Sequence, residues 1–106
     1  MISVIIPACN EESTIRQTVA YVFANAAYKR FLKEVIVVDG GSTDGTVKEA
    51  QKTGATIMIS PRKGRAAQLN YGAAQASGQI LYFLQPHSLP PENFISEIVK
   101  AHSKGY

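Results

Sequence analysis

The chain has 106 residues and a formal net charge of +3, from 11 Lys and Arg against 8 Asp and Glu. This length fits a single domain, and an apolar share of 45% with 18% charged residues is typical of a globular protein and excludes a disordered one. Cys9 is the single cysteine, which excludes a disulfide framework within one copy, and no apolar segment approaches the ~20 residues that a membrane-spanning helix needs.

Apolar strands alternate with helical patterns along the whole chain, and this alternation predicts an α/β fold with a parallel sheet flanked by helices. We predict strands at residues 3–6, 35–38, 55–59 and 80–84. We predict helices at about residues 12–27, 45–52 and 65–76, with a last one near Glu92.

The first strand stops at Pro7, which has no N–H for a sheet ladder and suits a strand end. Asn10 is predicted to cap the helix that follows. Glu11 and Glu12 would favour the positive end of its dipole.

The second strand, Val35 to Val38, has no polar alternation and therefore reads as buried on both faces. It ends in Asp39 and a glycine turn that carries Asp44. Ligands of parallel sheets bind beyond the carboxyl ends of the strands, so both carboxylates are candidate ligand contacts. The structural alternatives are that Asp39 caps the turn and that Asp44 favours the next helix dipole.

A basic cluster of Arg62, Lys63 and Arg65 follows the third strand. It is either a solvated loop or a phosphate contact, and Arg65 is the candidate for the latter. No longer basic stripe with interleaved aromatic residues is visible, so we predict no nucleic-acid partner.

The fourth strand is apolar on both faces, yet one predicted helix follows it before the sequence stops. An uncovered apolar edge invites pairing with another chain. We therefore expect either a homo-oligomer formed through the edge of strand four or a fragment of a larger domain.

Four sequence blocks, in this order and spacing, resemble the family 2 glycosyltransferases of the GT-A fold. The blocks read VIIPACNEE, VIVVDGGSTDGT, KGRAAQLNYGAAQASGQILYFL and LPPE. The resemblance implies a Rossmann-like nucleotide-binding half with strand order 3-2-1-4. It covers residues 1–106 as one nucleotide-sugar-binding domain that stops before the acceptor half, where family members carry the catalytic base, so no catalytic residue is assigned.

The resemblance also implies a set of nucleotide-binding residues. Pro7, Asn10 and Glu11 would shape the pocket around the base and ribose, and Asp39 would contact the uracil edge. Gly40 would let the turn approach the ligand. The full set is Pro7, Asn10, Glu11, Asp39, Gly40, Asp44 and Arg65, with Arg65 near the diphosphate.

The family's metal-binding Asp-x-Asp stretch is replaced here by Gln85-Pro86-His87-Ser88. The resemblance implies a divalent cofactor, Mn²⁺ or Mg²⁺, but the family's site is not carried over intact because this stretch has no carboxylate. His87 is the candidate metal ligand, although such hard ions prefer oxygen.

The leading hypothesis is a glycosyltransferase-like protein that binds a nucleotide sugar, a UDP sugar above all, for transfer to an acceptor hydroxyl with inversion. The alternative is a non-catalytic nucleotide-binding or interaction module with the same fold. A dinucleotide-dependent oxidoreductase is disfavoured, since the turn after the first strand lacks G-x-G-x-x-G. The start of the sequence has no basic flank typical of a signal peptide, which favours a cytoplasmic location, with contact to a membrane surface left open.

Overall fold

A computed structural model of the chain describes residues 1–24, 31–86 and 97–100. Four strands form one parallel sheet: β1 (Ile2–Ala8), β2 (Leu32–Asp39), β3 (Thr56–Ile59) and β4 (Ile80–Phe83). Their order is β3-β2-β1-β4. The predicted α/β class and the strand order 3-2-1-4 are both confirmed.

In the described part of the chain, helices α1 (Ile15–Ala24), α2 (Thr46–Gln51) and α3 (Arg65–Gln75) cover the two faces of this sheet. Side chains of α1 and α2 share one core cluster with alternate residues of β1 and β2. Side chains of α3 share a second cluster with the intervening residues. Residues 97–100 are also helical, and two of them pack against the first cluster.

The central strands are apolar throughout because both of their faces are covered. All seven residues of β1 are buried, and β2 is buried from Val35 to Asp39. Each fully buried Val or Ile side chain contributes roughly 1.5–3 kcal/mol relative to an exposed one. The unbroken apolar runs therefore hold the carboxyl ends of these two strands in place.

The packing of α3 on the sheet depends on a glycine. A Cβ at Gly72 would lie 2.7 Å from Cγ2 of Ile5 and 2.9 Å from Cγ2 of Val38. Both are methyl groups on β-branched side chains, which have little rotational freedom to move aside. Gly72 thus allows α3 to approach β1 and β2 closely.

Glu34 joins three segments at the amino ends of the strands. Its Oε2 accepts hydrogen bonds from Oγ of Ser3 at 2.7 Å and from the backbone N–H of Ser77 at 2.7 Å. Burial acts to raise the pKa of Glu34, but the Ser77 N–H and the hydroxyls of Ser3 and Ser77 outweigh it and hold that pKa below its ordinary value. The link between α3 and β4 is fixed at this end.

The first helix begins later than predicted. Residues 12–14 form a turn, and α1 starts at Ile15, whose N–H donates to the carbonyl of Glu11 at 2.9 Å. The predicted cap by Asn10 is wrong, because its side chain bonds across to another loop. The predicted helix residues 25–27, and most of the last predicted helix, lie outside the described residues.

The β4 strand forms one end of the described sheet and exposes apolar side chains there. Leu81 is 37% exposed and Phe83 49%.

Within the described residues, no helix has the length and apolar character to cross a membrane.

Candidate functional site

The carboxyl ends of β1 and β2 lie side by side, in register. Ala8 pairs with Asp39, and the N–H of Gly40 donates to the carbonyl of Ala8 at 2.9 Å. Two loops leave this edge together, the β1–α1 loop (residues 9–14) and the β2–α2 loop (residues 40–45). Every predicted site residue before Arg65 belongs to these loops or to the strand ends that carry them.

Asn10 joins the two loops. Its backbone N–H donates to Oγ of Ser42 at 2.9 Å, and its Oδ1 accepts the N–H of Thr43 at 2.9 Å. Its φ of 55° lies in the left-handed region, which Asn tolerates better than most residues. Asn10 therefore holds the β2–α2 loop against the β1–α1 loop.

Further bonds join the same two loops near the start of α2. The N–H of Gly45 donates to Oε2 of Glu12 at 2.9 Å, and the N–H of Glu11 donates to Oγ1 of Thr46 at 2.8 Å. Because the bonds run in both directions, the loops form one rigid unit.

Asp39 organises its own turn. Its Oδ2 accepts the N–H groups of Gly41 and Ser42, both at 2.9 Å, and its Oδ1 accepts the hydroxyl of Ser42 at 2.5 Å. The side chain is buried, with 3% of its surface exposed. Gly41 has a φ of 102°, which favours glycine at that position of the turn. Asp39 therefore has the structural role that the sequence left open as an alternative, which is to cap the turn that follows it.

Asp44 caps the start of α2. Its Oδ1 accepts both the hydroxyl and the N–H of Thr46, the latter at 3.0 Å, and its Oδ2 accepts the N–H of Glu12 at 3.3 Å. The Thr46 hydroxyl is the largest cause that lowers the pKa of Asp44. The lowered pKa favours the ionised carboxylate, which accepts bonds from the β1–α1 loop and from the start of α2.

A cleft of about 350 Å³ opens beside this loop unit. Four of the predicted site residues line it: Pro7, Glu11, Gly40 and Arg65. The other lining residues are Ala8, Cys9, Lys63, Gly64, Gln68 and Pro86. The remaining predicted residues, Asn10, Asp39 and Asp44, support the loops from outside the lining.

The cleft carries opposite charges on different elements. Lys63 and Arg65 are exposed and come from the segment that leads into α3, whereas the half-buried Glu11 comes from the β1–α1 loop. Gly64 precedes α3 with a φ of 111° and offers no side chain to cap the helix. The first N–H groups of a helix lack intrahelical partners, so this helix start adds positive potential to the basic side.

Gln68 is a site residue that the sequence analysis missed. It lies on the sheet-facing side of α3, is 5% exposed, and lines the cleft. The spacing of Gln68 in the sequence could have indicated this position. Gln68 and Gly72 are four residues apart and share one helix face, so a polar side chain occurs on a face that packs against apolar strands.

The described residues do not assemble a metal-binding set. No three His, Cys, Asp or Glu side chains in the described ranges are arranged to hold a metal ion. Glu11 supplies the one carboxylate among the described lining residues. His87, the predicted ligand, lies outside the described residues, and Pro86 before it lines the cleft.

Comparison with known proteins places the chain among sugar transferases. The sequence model of glycosyl transferase family 2 matches residues 3–106. The glycosyltransferase AglE of Haloferax volcanii is 32% identical over 108 residues, which span 96% of this chain and 35% of that protein. Relatives of this kind do not favour a non-catalytic interaction module.

Solved structures match the fold as well. Glucosyl-3-phosphoglycerate synthase from Mycobacterium tuberculosis, in complex with Mn²⁺, UDP and glucosyl-3-phosphoglycerate, superposes with a TM-score of 0.82 at 29% identity, over 96% of this chain and 39% of that one. A complex of the same enzyme with Mg²⁺ and UDP gives the same values. The chain thus spans little more than a third of the length of these relatives.

Proposed function

Because the chain belongs to glycosyl transferase family 2, we propose that its cleft binds a nucleotide diphosphate sugar as the donor for transfer to an acceptor hydroxyl. The observation that carries the proposal is the cleft itself. It brings two cationic side chains, an uncapped helix start and a carboxylate together at the carboxyl ends of β1 and β2. Parallel sheets bind their ligands at this edge.

The diphosphate binds on the basic side in this proposal. Arg65 offers a planar fork of donors that suits phosphate oxygens, and Lys63 adds a second positive charge. The start of α3 contributes N–H groups, as helix starts do in many anion sites. During transfer, the acceptor hydroxyl gives its proton to a base to which no residue is assigned, its oxygen bonds to the sugar's anomeric carbon, and the bond from that carbon to the diphosphate breaks. The basic groups stabilise the charge on the departing diphosphate.

The nucleoside binds on the acidic side. A carboxylate accepts hydrogen bonds from ribose hydroxyls or from a base N–H, and Glu11 lines the cleft with that function. Asp39 is outside the lining but directly precedes Gly40, which lines the cleft, and we propose that its Oδ1, which accepts one bond from Ser42, contacts the base when the nucleotide is bound. Asn10 and Asp44 act on the ligand indirectly, through the loop unit. We propose uracil as the base because the related synthase was crystallised with UDP.

We propose that a divalent cation binds to the diphosphate of the bound nucleotide. Support comes from the related synthase, whose structures contain Mn²⁺ or Mg²⁺ together with UDP. His87 is the predicted protein ligand of this cation. Tighter UDP binding with Mn²⁺ than without it, lost in His87→Ala, is the expected result.

Isothermal titration with UDP tests the proposal, with a matched pair of arginines: Arg65, the first residue of α3, and Arg62, in the segment before it. Arg65 lines the cleft and Arg62 does not. Because a lost charge-assisted contact costs about 1.5–3 kcal/mol, Arg65→Ala should weaken UDP binding about 10- to 100-fold. Arg62→Ala should leave it within about twofold. Absence of saturable binding by the wild-type protein, or equal loss in both variants, contradicts the proposal.

We also propose that the protein self-associates through β4. The strand ends the described sheet, and its exposed Leu81 and Phe83 lie on the α3 side, where no helix among the described residues covers them. Phe83→Lys should shift sedimentation from a dimer to a monomer. The matched control is Ile59→Lys on β3 at the other end of the sheet, where Ile59 is 56% exposed. A monomeric wild-type protein refutes this proposal.

A further inference from the structure

Gln68 bridges two strands from the helix that packs on them. Its Nε2 donates to the carbonyl of Ala8 at 3.0 Å and to the carbonyl of Val38 at 2.8 Å. These carbonyls belong to the carboxyl ends of β1 and β2. Because both partners are acceptors, the nitrogen of the amide must face them, which fixes the orientation of the side chain.

The bridge lies where the cleft begins. The carbonyl of Ala8 already accepts the N–H of Gly40 at 2.9 Å, so the Gln68 bond fills its second acceptor position. Ala8, Gly40 and Gln68 all line the cleft. The amide of Gln68 is therefore built into the floor between the two strand ends.

Gly40 leaves the space that this amide occupies. A Cβ at position 40 would lie 2.7 Å from Cδ of Gln68 and within 2.9 Å of its Oε1 and Nε2. The positive-φ glycines of the described residues are Gly41 and Gly64, so the backbone conformation does not require glycine at position 40. The need for glycine there comes from Gln68.

Gln68 also fixes the start of α3, which contributes Arg65 to the basic side of the cleft. Arg65 begins α3, and Gln68 follows it by one turn. Because Gln68 is bonded to the ends of β1 and β2, Arg65 is held at a fixed distance from them. Glu11 and the Asp39 turn project from these same strand ends. A diphosphate and its nucleoside must span that distance, so its precision affects binding.

We propose that Gln68 is a positioning residue for the nucleotide diphosphate: it sets the basic start of α3 at a fixed distance from the carboxyl ends of β1 and β2, in the space left by Gly40. This role rests on the function proposed above. It predicts that Gln68 and Gly40 act on nucleotide affinity as one coupled pair.

A double-mutant cycle read by UDP titration tests this role. The measurement is made well below the unfolding temperature of each variant, where a purely structural role leaves the affinity of the folded protein unchanged. Gln68→Ala should raise the Kd for UDP about tenfold, because binding must then order a helix start that is no longer fixed to the strand ends. Gly40→Ala should also raise it, because the new methyl group displaces the amide.

The double variant shows whether the two substitutions affect UDP affinity jointly or independently. Adding Gly40→Ala to Gln68→Ala should cause no further loss, since the methyl group then enters vacated space. The control is Gln75→Ala, an exposed glutamine at the end of the same helix, which should match the wild-type Kd. If Gln68→Ala does not fold, Gln68→Ser takes its place in the cycle, because serine also vacates the space beside Gly40.

The outcomes distinguish this role from the proposed function. Wild-type binding with a Kd that neither Gln68→Ala nor Gly40→Ala changes overturns the positioning role alone. Equal losses from Gly40→Ala in both backgrounds do the same, because they assign Gly40 to ligand approach. Absence of UDP binding by the wild-type protein overturns the proposed function and this role with it.

Discussion

Replacing Asp39 with alanine should destabilise the fold even without a ligand. The change removes the acceptor for the N–H groups of Gly41 and Ser42 and for the Ser42 hydroxyl. A bond to a charged group contributes about 1.5–3 kcal/mol, but the exposed Gly41 can rebind water. We therefore expect a loss of about 3 kcal/mol in the free energy of unfolding, which lowers Tm by about 15 °C in a domain of this size.

Asp39→Asn separates the structural role from ligand contact. Asparagine keeps one oxygen to accept the two N–H groups, and its amide nitrogen can donate to Oγ of Ser42, so the loss of stability should be only about 1 kcal/mol. The nitrogen then replaces the oxygen proposed to accept a base N–H. UDP affinity should fall while most of the stability remains.

Urea unfolding followed by circular dichroism measures the first effect, and titration at a temperature where each variant is folded measures the second. Ser42→Ala keeps the carboxylate and both N–H bonds but removes a hydroxyl that bonds both Asp39 and the Asn10 N–H, so its loss of stability sets an upper limit on the part of the effect due to the Ser42 hydroxyl. An Asp39→Ala protein within about 0.5 kcal/mol of wild type refutes the argument that this carboxylate organises the turn.

Two further predictions concern parts of the fold away from the cleft. Gly72→Ala should cost about 1–3 kcal/mol despite the higher helix propensity of alanine, because its methyl group meets Ile5 and Val38; a Tm equal to or above wild type contradicts the close packing of α3. Because folding lowers the pKa of Glu34, this residue stabilises the fold above its ordinary pKa of 4.5. That stabilisation is lost as the pH falls through the pKa of Glu34 in the folded state. The free energy of unfolding should therefore drop less below pH 4.5 in Glu34→Gln than in wild type, as urea titrations across this range would measure; parallel pH profiles contradict it.

The sheet could be predicted from the sequence because a parallel strand covered on both faces needs an unbroken apolar run. Val35 to Val38 has that run, and all four of its residues are buried. The short connections and the glycine turn after Asp39 then place the ligand edge. Strand order came from the family resemblance, since periodicity alone does not fix which strands are neighbours.

The hydrogen bonds of the loops could not be predicted, because short polar side chains suit several roles equally well. Asn10 next to a helix reads as a cap, but its actual partners are Ser42 and Thr43, more than thirty residues away. Acidic residues near a helix start also fit a turn, which is where Glu12 lies. The hydrogen bonds of Gln68 to Ala8 and Val38 become visible only once α3 is placed on the strand ends.

A crystal structure of the protein with UDP tests the central claim most directly. We expect the diphosphate within hydrogen-bond distance of Arg65 and the first N–H groups of α3, and the uridine beside Glu11. Nucleotide density on another surface, with the cleft at the ends of β1 and β2 empty, contradicts it.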